Sequence, residues 1–290
     1  MLFSRIKNRL ILTMRSSIWI LALLLTASAA VYQWITGPTY PINTEVNTGI
    51  QKFPLKFLRS HSGKNDCPVI LQISDITVKG VLLFRKYPTN DEMNKVDFKR
   101  EGDKLVAFLP VQPPAGKIEY KINLTKDRTP LKIGSDAPII IRFTGEVPEY
   151  VLIVHVFMMF LAMLFSNVTG LYALFKISYY KFLSVITFII LMIGGLVSGP
   201  LVQKYAFNKW WTGIPFGWDL TENKTLIAIL LWLLAMIMIR KKSAVLWIIA
   251  ASLITIVIFT IPHSLSGNKL DQETGEIIQG NILPFITTFQ

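Results

Sequence analysis

The sequence predicts a membrane α-helical bundle of about five transmembrane helices with an inserted extracytoplasmic all-β sandwich domain. Three observations carry this expectation. Apolar residues fill 52% of the 290 positions and mean hydropathy is +0.46. The excess is gathered into stretches nearly free of charge, and about 20 such residues suffice to cross a hydrocarbon core. The basic residues are placed lopsidedly: Arg5, Lys7, Arg9 and Arg15, then Lys176 and Lys181, then Arg240, Lys241 and Lys242 stand in short segments without an acid. The other basic residues share their segments with all 18 acids, so the formal charge of +12 reports membrane sidedness and not a nucleic-acid partner. Finally, the chain between Gly37 and about Glu146 has a different texture, with short alternating runs cut by Pro, Gly, Asn and Asp.

In order along the chain, residues 1–36 form a basic leader and a first span. Ala27-Ser28-Ala29 resembles a signal cleavage site, but the apolar run is long for a signal peptide and ends on Tyr32 and Trp34, which suit a membrane interface. An uncleaved anchor is therefore expected. Residues 37–147 form the β domain, with strands expected at 69–73, 80–87, 104–109, 117–124 and 137–143, separated by turns such as Pro88-Thr89-Asn90-Asp91 and Gly102-Asp103. Four further spans follow at 148–169, 182–202, 225–239 and 244–262, and 263–290 is an external tail. Reading the acid-free segments as cytoplasmic puts the N-terminus inside and the β domain and C-terminus in the periplasm or outside, as in a bacterial inner-membrane protein. The single Cys67 beside Pro68 reads as a small buried hydrophobe.

The run Gly102-Asp103-Lys104-Leu105-Val106-Ala107-Phe108-Leu109-Pro110, followed by Pro113-Pro114-Ala115-Gly116-Lys117-Ile118-Glu119-Tyr120, resembles the strand, proline-rich turn and tyrosine-bearing strand of fibronectin type III or immunoglobulin-like domains. The likeness covers about a third of the chain. The domain lacks the Cys pair and Trp of an antibody-type core. As a whole the chain resembles polytopic envelope membrane proteins of bacteria, and no activity comes with that resemblance.

Candidate sites are few. Of the ionisable residues only His155 falls clearly within an expected span, about 10 Å from its outer end. His263 follows Pro262 at the outer end of the fifth span. Two imidazoles on facing helices can ligate haem iron or a metal ion, so His155 and His263 are the candidate cofactor ligands, against an ordinary hydrogen-bonding role. A quinone or lipid-headgroup contact is a third option. His61, in a polar stretch, reads as solvated. The aromatic segment holding Trp210, Trp211, Trp218 and Asp219 reads as an interfacial belt and helix start, or as a lid that directs Asp219 towards His155 or His263. Gly194, Gly195, Ser198 and Gly199 place small residues four apart, as helix packing or dimerisation requires. No phosphate loop, G-x-S-x-G elbow or H-E-x-x-H pattern is present, and the glycosylation-type triplets at Asn123, Asn167 and Asn223 carry no assigned role. The expected function is a non-catalytic membrane subunit or scaffold that presents its β domain to membrane or envelope proteins. The alternative is a haem- or metal-binding redox protein; a transporter is disfavoured for want of polar mid-bilayer groups.

Overall fold

The computed structural model describes residues 2–49, 51–134, 137–262, 269–271, 274–275 and 277–278. It opens with helix α1 (Leu2–Ile35). Then come β1 (Ile42–Asn47), β2 (Lys52–Phe57), β3 (Ser60–Ser62), β4 (Cys67–Gln72), β5 (Val78–Lys86), β6 (Asn94–Asp97), β7 (Lys99–Glu101), β8 (Lys104–Leu109), β9 (Lys117–Lys126), β10 (Thr129–Leu131) and β11 (Ile139–Thr144). Helices α2 (Glu149–Leu174), α3 (Tyr180–Met192), α4 (Gly199–Phe207), α5 (Leu220–Ile237) and α6 (Ala244–Thr260) follow, and the strands β12 (Lys269–Leu270) and β13 (Ile277–Ile278) come last.

The β part arises from alternation. In β2 and β4 every second residue is buried, and these side chains meet those of β5, β8, β9 and β11 in one apolar core built around Leu71, Leu82, Leu109, Tyr120, Ile141 and Phe143. One sheet runs β3-β11-β9-β5-β6, with β10 also on β9; a second runs β4-β8-β7; β1 and β2 form a hairpin. All these pairings are antiparallel except β3 on β11, where Ser60 lies beside Arg142. Tyr120 spends its hydroxyl on the Leu58 carbonyl at 2.9 Å, and burial raises its pKa. His61 is not simply solvated: its Nε2 lies 2.9 Å from the Asn65 carbonyl, and its ring meets Phe143 edge-on.

Cys67 is fully buried, and desolvation pushes its thiol up to about 11. Because only the thiolate attacks, a maleimide should leave the folded chain unlabelled at neutral pH and label it after denaturation. Rapid labelling of the native protein would contradict this packing.

Asp75 offers a second test. Hydrogen bonds from the Thr77 hydroxyl (2.6 Å), the Lys126 ammonium (2.9 Å) and the Thr77 N–H (3.0 Å) hold its carboxyl down at about 2. A lowered folded-state pKa supplies stability that is present above the usual carboxylate range and is lost as pH falls through about 2. Asp75→Asn should therefore quicken amide exchange in β5 and β9 at neutral pH, and the difference from the parent should vanish near the folded-state pKa. An equal difference at both pH values would rule the carboxylate out.

Much of the helical part is apolar on all sides. Among the described residues four stretches are long and apolar enough to cross a membrane: Thr13–Ile35, Glu149–Leu174, Tyr180–Phe207 and Leu220–Ile237, with mean hydropathies of 1.8, 2.3, 2.4 and 1.6. Helix α6, with 17 residues, is a shorter apolar helix. Leu24, Phe157, Phe182, Leu230, Leu246 and Val257 point out of the bundle, and the interior is lined by small residues and buried polar pairs. Asn167 donates to Thr26 (3.0 Å), Thr169 meets Thr187 (3.1 Å), Trp232 donates to Thr255 (3.1 Å), and Ser252 donates to the Ser166 carbonyl (2.9 Å). Such bonds join α1 to α2, α2 to α3, α5 to α6 and α2 to α6, and the close approach at Gly170 leaves no room for a Cβ beside Ser252.

Three boundaries differ by five residues from expectation. The second apolar stretch continues to Leu174 rather than 169, the third continues to Phe207 rather than 202, and the fourth begins at Leu220 rather than 225. Asp219 explains the last difference: its carboxylate accepts the Thr221 N–H at 2.8 Å and starts the helix ahead of the continuous apolar run.

Candidate functional site

His155 lies on α2, near the end of the bundle that carries the β part. Its Nδ1 is 3.0 Å from Ser198 Oγ and 3.2 Å from the Gly194 carbonyl. Ser198 donates its own proton to Gly194 O at 2.8 Å, so both atoms facing Nδ1 are acceptors. Nδ1 therefore carries the hydrogen, and the Nε2 lone pair has no protein partner among the described residues.

The acceptor carbonyl stands where the helix is locally widened to π geometry over Ile193–Ser198, with Gly199 N–H bonding Gly194 O. Pro200 has no N–H for the α pattern, which accounts for the widening. The candidate packing residues have separate neighbours. A Cβ on Gly194 would meet Met158 and Met159 of α2, one on Gly195 would meet Thr225 and Ile229 of α5, and Gly199 lies against the His155 ring. His263, the expected second ligand, lies outside the described residues. Among those residues no group of three or more His, Cys, Asp or Glu side chains is arranged to hold a metal ion.

The aromatic segment folds back on the start of α5. Thr212 N–H donates to the Glu222 carboxylate, Ile214 N–H to Asn223 Oδ1 (2.7 Å), Asp219 N–H to the Thr212 carbonyl (3.1 Å), and Gln203 to the Thr212 hydroxyl (2.8 Å). At Gly213 a Cβ would fall 2.8 Å from both Glu222 and Asn223, so only glycine lets the loop lie this close. Trp211 donates to the Ile214 carbonyl at 3.0 Å, Lys204 stands 5.9 Å over the Trp210 ring, and Trp210, Phe216 and Trp218 are exposed.

Asp219 takes the helix-start alternative: its carboxylate caps α5 and acts electrostatically on Arg142 and Lys224, and His155 is held by Gly194 and Ser198.

Arg142 is one of the residues that tie the β part to the helices. It leaves β11 and lays its guanidinium 4.5 Å over the Phe207 ring at the end of α4. Burial lowers its pKa, and the Asp219 carboxylate opposes that shift. Three residues on, Gly145 donates its N–H to the Ala206 carbonyl at 2.8 Å, with the Tyr205 carbonyl 2.2 Å from where a Cβ would stand.

At the same end Lys224 donates to the Ile261 carbonyl (2.5 Å), and Gln33 to those of Phe259 (2.7 Å) and Ile261 (3.2 Å). Side chains of α1 and α5 thereby satisfy carbonyls that α6 leaves open at its last turn. Leu270 N–H reaches the Ala115 carbonyl at 3.3 Å and brings β12 to the β part.

The sequence reading did not place Arg142 or Lys224 at this site. The helix start read at Asp219 also puts Lys224 inside the helix. Arg142 gave no such signal, since its burial depends on a helix 65 residues away in the chain.

Compared with known protein families and with curated proteins, the chain matches none. The arrangement defines an apolar helix bundle joined to a β module through a buried polar junction.

Proposed function

We propose that the chain is a non-catalytic subunit or scaffold of the bacterial inner membrane that holds an immunoglobulin-like β sandwich in a set pose for a membrane or envelope partner. The carrying observation is the junction: Arg142 on Phe207 beside Asp219, and Gly145 on Ala206, clamp the module directly to the bundle. A flexible tether would do for a soluble catalyst, whereas presentation in a set pose needs a fixed contact. The sandwich reading is supported by strand order, because β7-β8-β4 and β5-β9-β11 repeat the D–E–B and C–F–G orders of immunoglobulin-like sheets. The orientation, with the N-terminus cytoplasmic and the β domain and C-terminus periplasmic, is supported by the acid-free basic turns opposite the β end. The module offers Ile70, Ile76, Val96 and Phe108 as exposed apolar side chains for a partner.

Photo-crosslinking amino acids at Ile76 and Phe108 in living cells should each yield a discrete adduct, and the same probe at the lipid-facing Leu246 should yield none. The absence of any adduct from the module would defeat the reading.

A second reading is favoured by the open Nε2 of His155, which is in the state a haem or metal ligand requires. It calls for a Soret band or stoichiometric metal in protein purified from native membranes, lost in His155→Ala without loss of folding. A colourless, metal-free chain would end it.

A further inference from the structure

We propose that Arg15 and the turn between α2 and α3 form a headgroup site for an anionic phospholipid, an inference that rests on the membrane reading above. Arg15 stands at the start of the apolar part of α1, at the end of the bundle away from the β module. Its Nη2 donates to Ser178 Oγ at 3.2 Å, and its guanidinium lies 5.6 Å from the Tyr179 ring centroid. Its Nε is buried with no partner.

A cation held in this way needs a counter-charge, and the chain has none to offer nearby. No acid precedes Glu45, none lies between Glu149 and Asp219, and none lies between Glu222 and Asp271. Every carboxylate on or beside these helices therefore belongs to the β end, to the β part or to the tail. Lys176 and Lys181 flank Ser178 and add to the uncompensated charge.

A counter-charge suited to this place is a planar or tetrahedral oxyanion that can take a guanidinium fork, as a phosphodiester does. Exposed Phe175, Tyr179 and Phe182 border the same turn and supply the apolar surface that acyl chains require. A free phosphate would have no use for that border.

The test uses the full chain in mild detergent, with native mass spectrometry after adding phosphatidylglycerol or phosphatidylcholine. Phosphatidylglycerol should be retained in preference to phosphatidylcholine, Arg15→Gln should lower its retention about fivefold, and Lys79→Gln on the β part should leave it unchanged. If Arg15→Gln is not recovered folded, Arg15→Lys serves, since it keeps the charge but loses the fork and should still retain less lipid than the parent.

Equal retention of both lipids, equal retention by the Arg15 variants, or displacement by inorganic phosphate would each overturn the proposal. Carbonate extraction separates the two failures. A chain that stays in the membrane but shows no lipid preference refutes this site alone, and a chain released by carbonate refutes the membrane reading as well.

Discussion

Trp232→Ala should destabilise the helical part by about 3–5 kcal/mol, the range for emptying a fully buried aromatic site. Among the described residues Trp232 is the largest fully buried side chain, and the buried cluster it belongs to includes Ala162, Ala228, Ala235 and Ala251, which have little side chain with which to refill its volume. The space is enclosed by protein and water gains little there, so the cavity would stay empty. The indole N–H also donates to Thr255 Oγ1, whose own proton goes to the Ala251 carbonyl at 2.6 Å. Trp232→Phe keeps most of the volume and loses only that bond, so it should cost about 1 kcal/mol. Thermal unfolding of the full chain in detergent should rank the parent above Trp232→Phe and that above Trp232→Ala. Similar midpoints for all three would show that α5 and α6 do not pack as described.

Gly145→Val should loosen the β part from the bundle while leaving both folded. A Cβ at this position would lie 2.2 Å from the Tyr205 carbonyl oxygen, a backbone atom that cannot swing aside. Relief requires the chain at 145–148 to withdraw, which breaks the Gly145 to Ala206 bond and lifts Arg142 off Phe207. The lost bond is worth about 1 kcal/mol and the overpacking about 1–3 kcal/mol. Limited proteolysis should then cut near 145–149, with unchanged amide protection in β5 and β9. If the presentation reading is right, the crosslinks from Ile76 and Phe108 should weaken as well. Resistance of Gly145→Val to cleavage, equal to that of the parent, would argue that this contact does not hold the module.

Much of the architecture is legible along the chain because its signals are local. Alternation at two residues marks β4, β5, β8, β9 and β11, and charge-free runs mark α2, α3, α5 and α6. The short strands β3, β6, β7 and β10 were not legible, since three or four residues such as Lys99–Glu101 carry too little pattern and take their shape from a neighbour already in place. At the site, His155 stood out as a lone ionisable group in an apolar run. A fourth span expected from 225 leaves Lys224 outside it, whereas Asp219 starts the helix five residues sooner.

Taken alone, the sequence determined where the apolar stretches and the β-rich segment lie, and that the short basic segments between apolar stretches carry no acid. Tertiary structure alone decided that His155 faces Ser198 and Gly194, that Arg142 rests on Phe207 beside Asp219, and that Lys224 closes the end of α6. The reason is range. The side-chain pattern of a strand or a helix repeats over two to four residues and is written in adjacent positions, whereas which side chains meet depends on how small residues such as Gly170 and Gly195 let whole helices approach and turn.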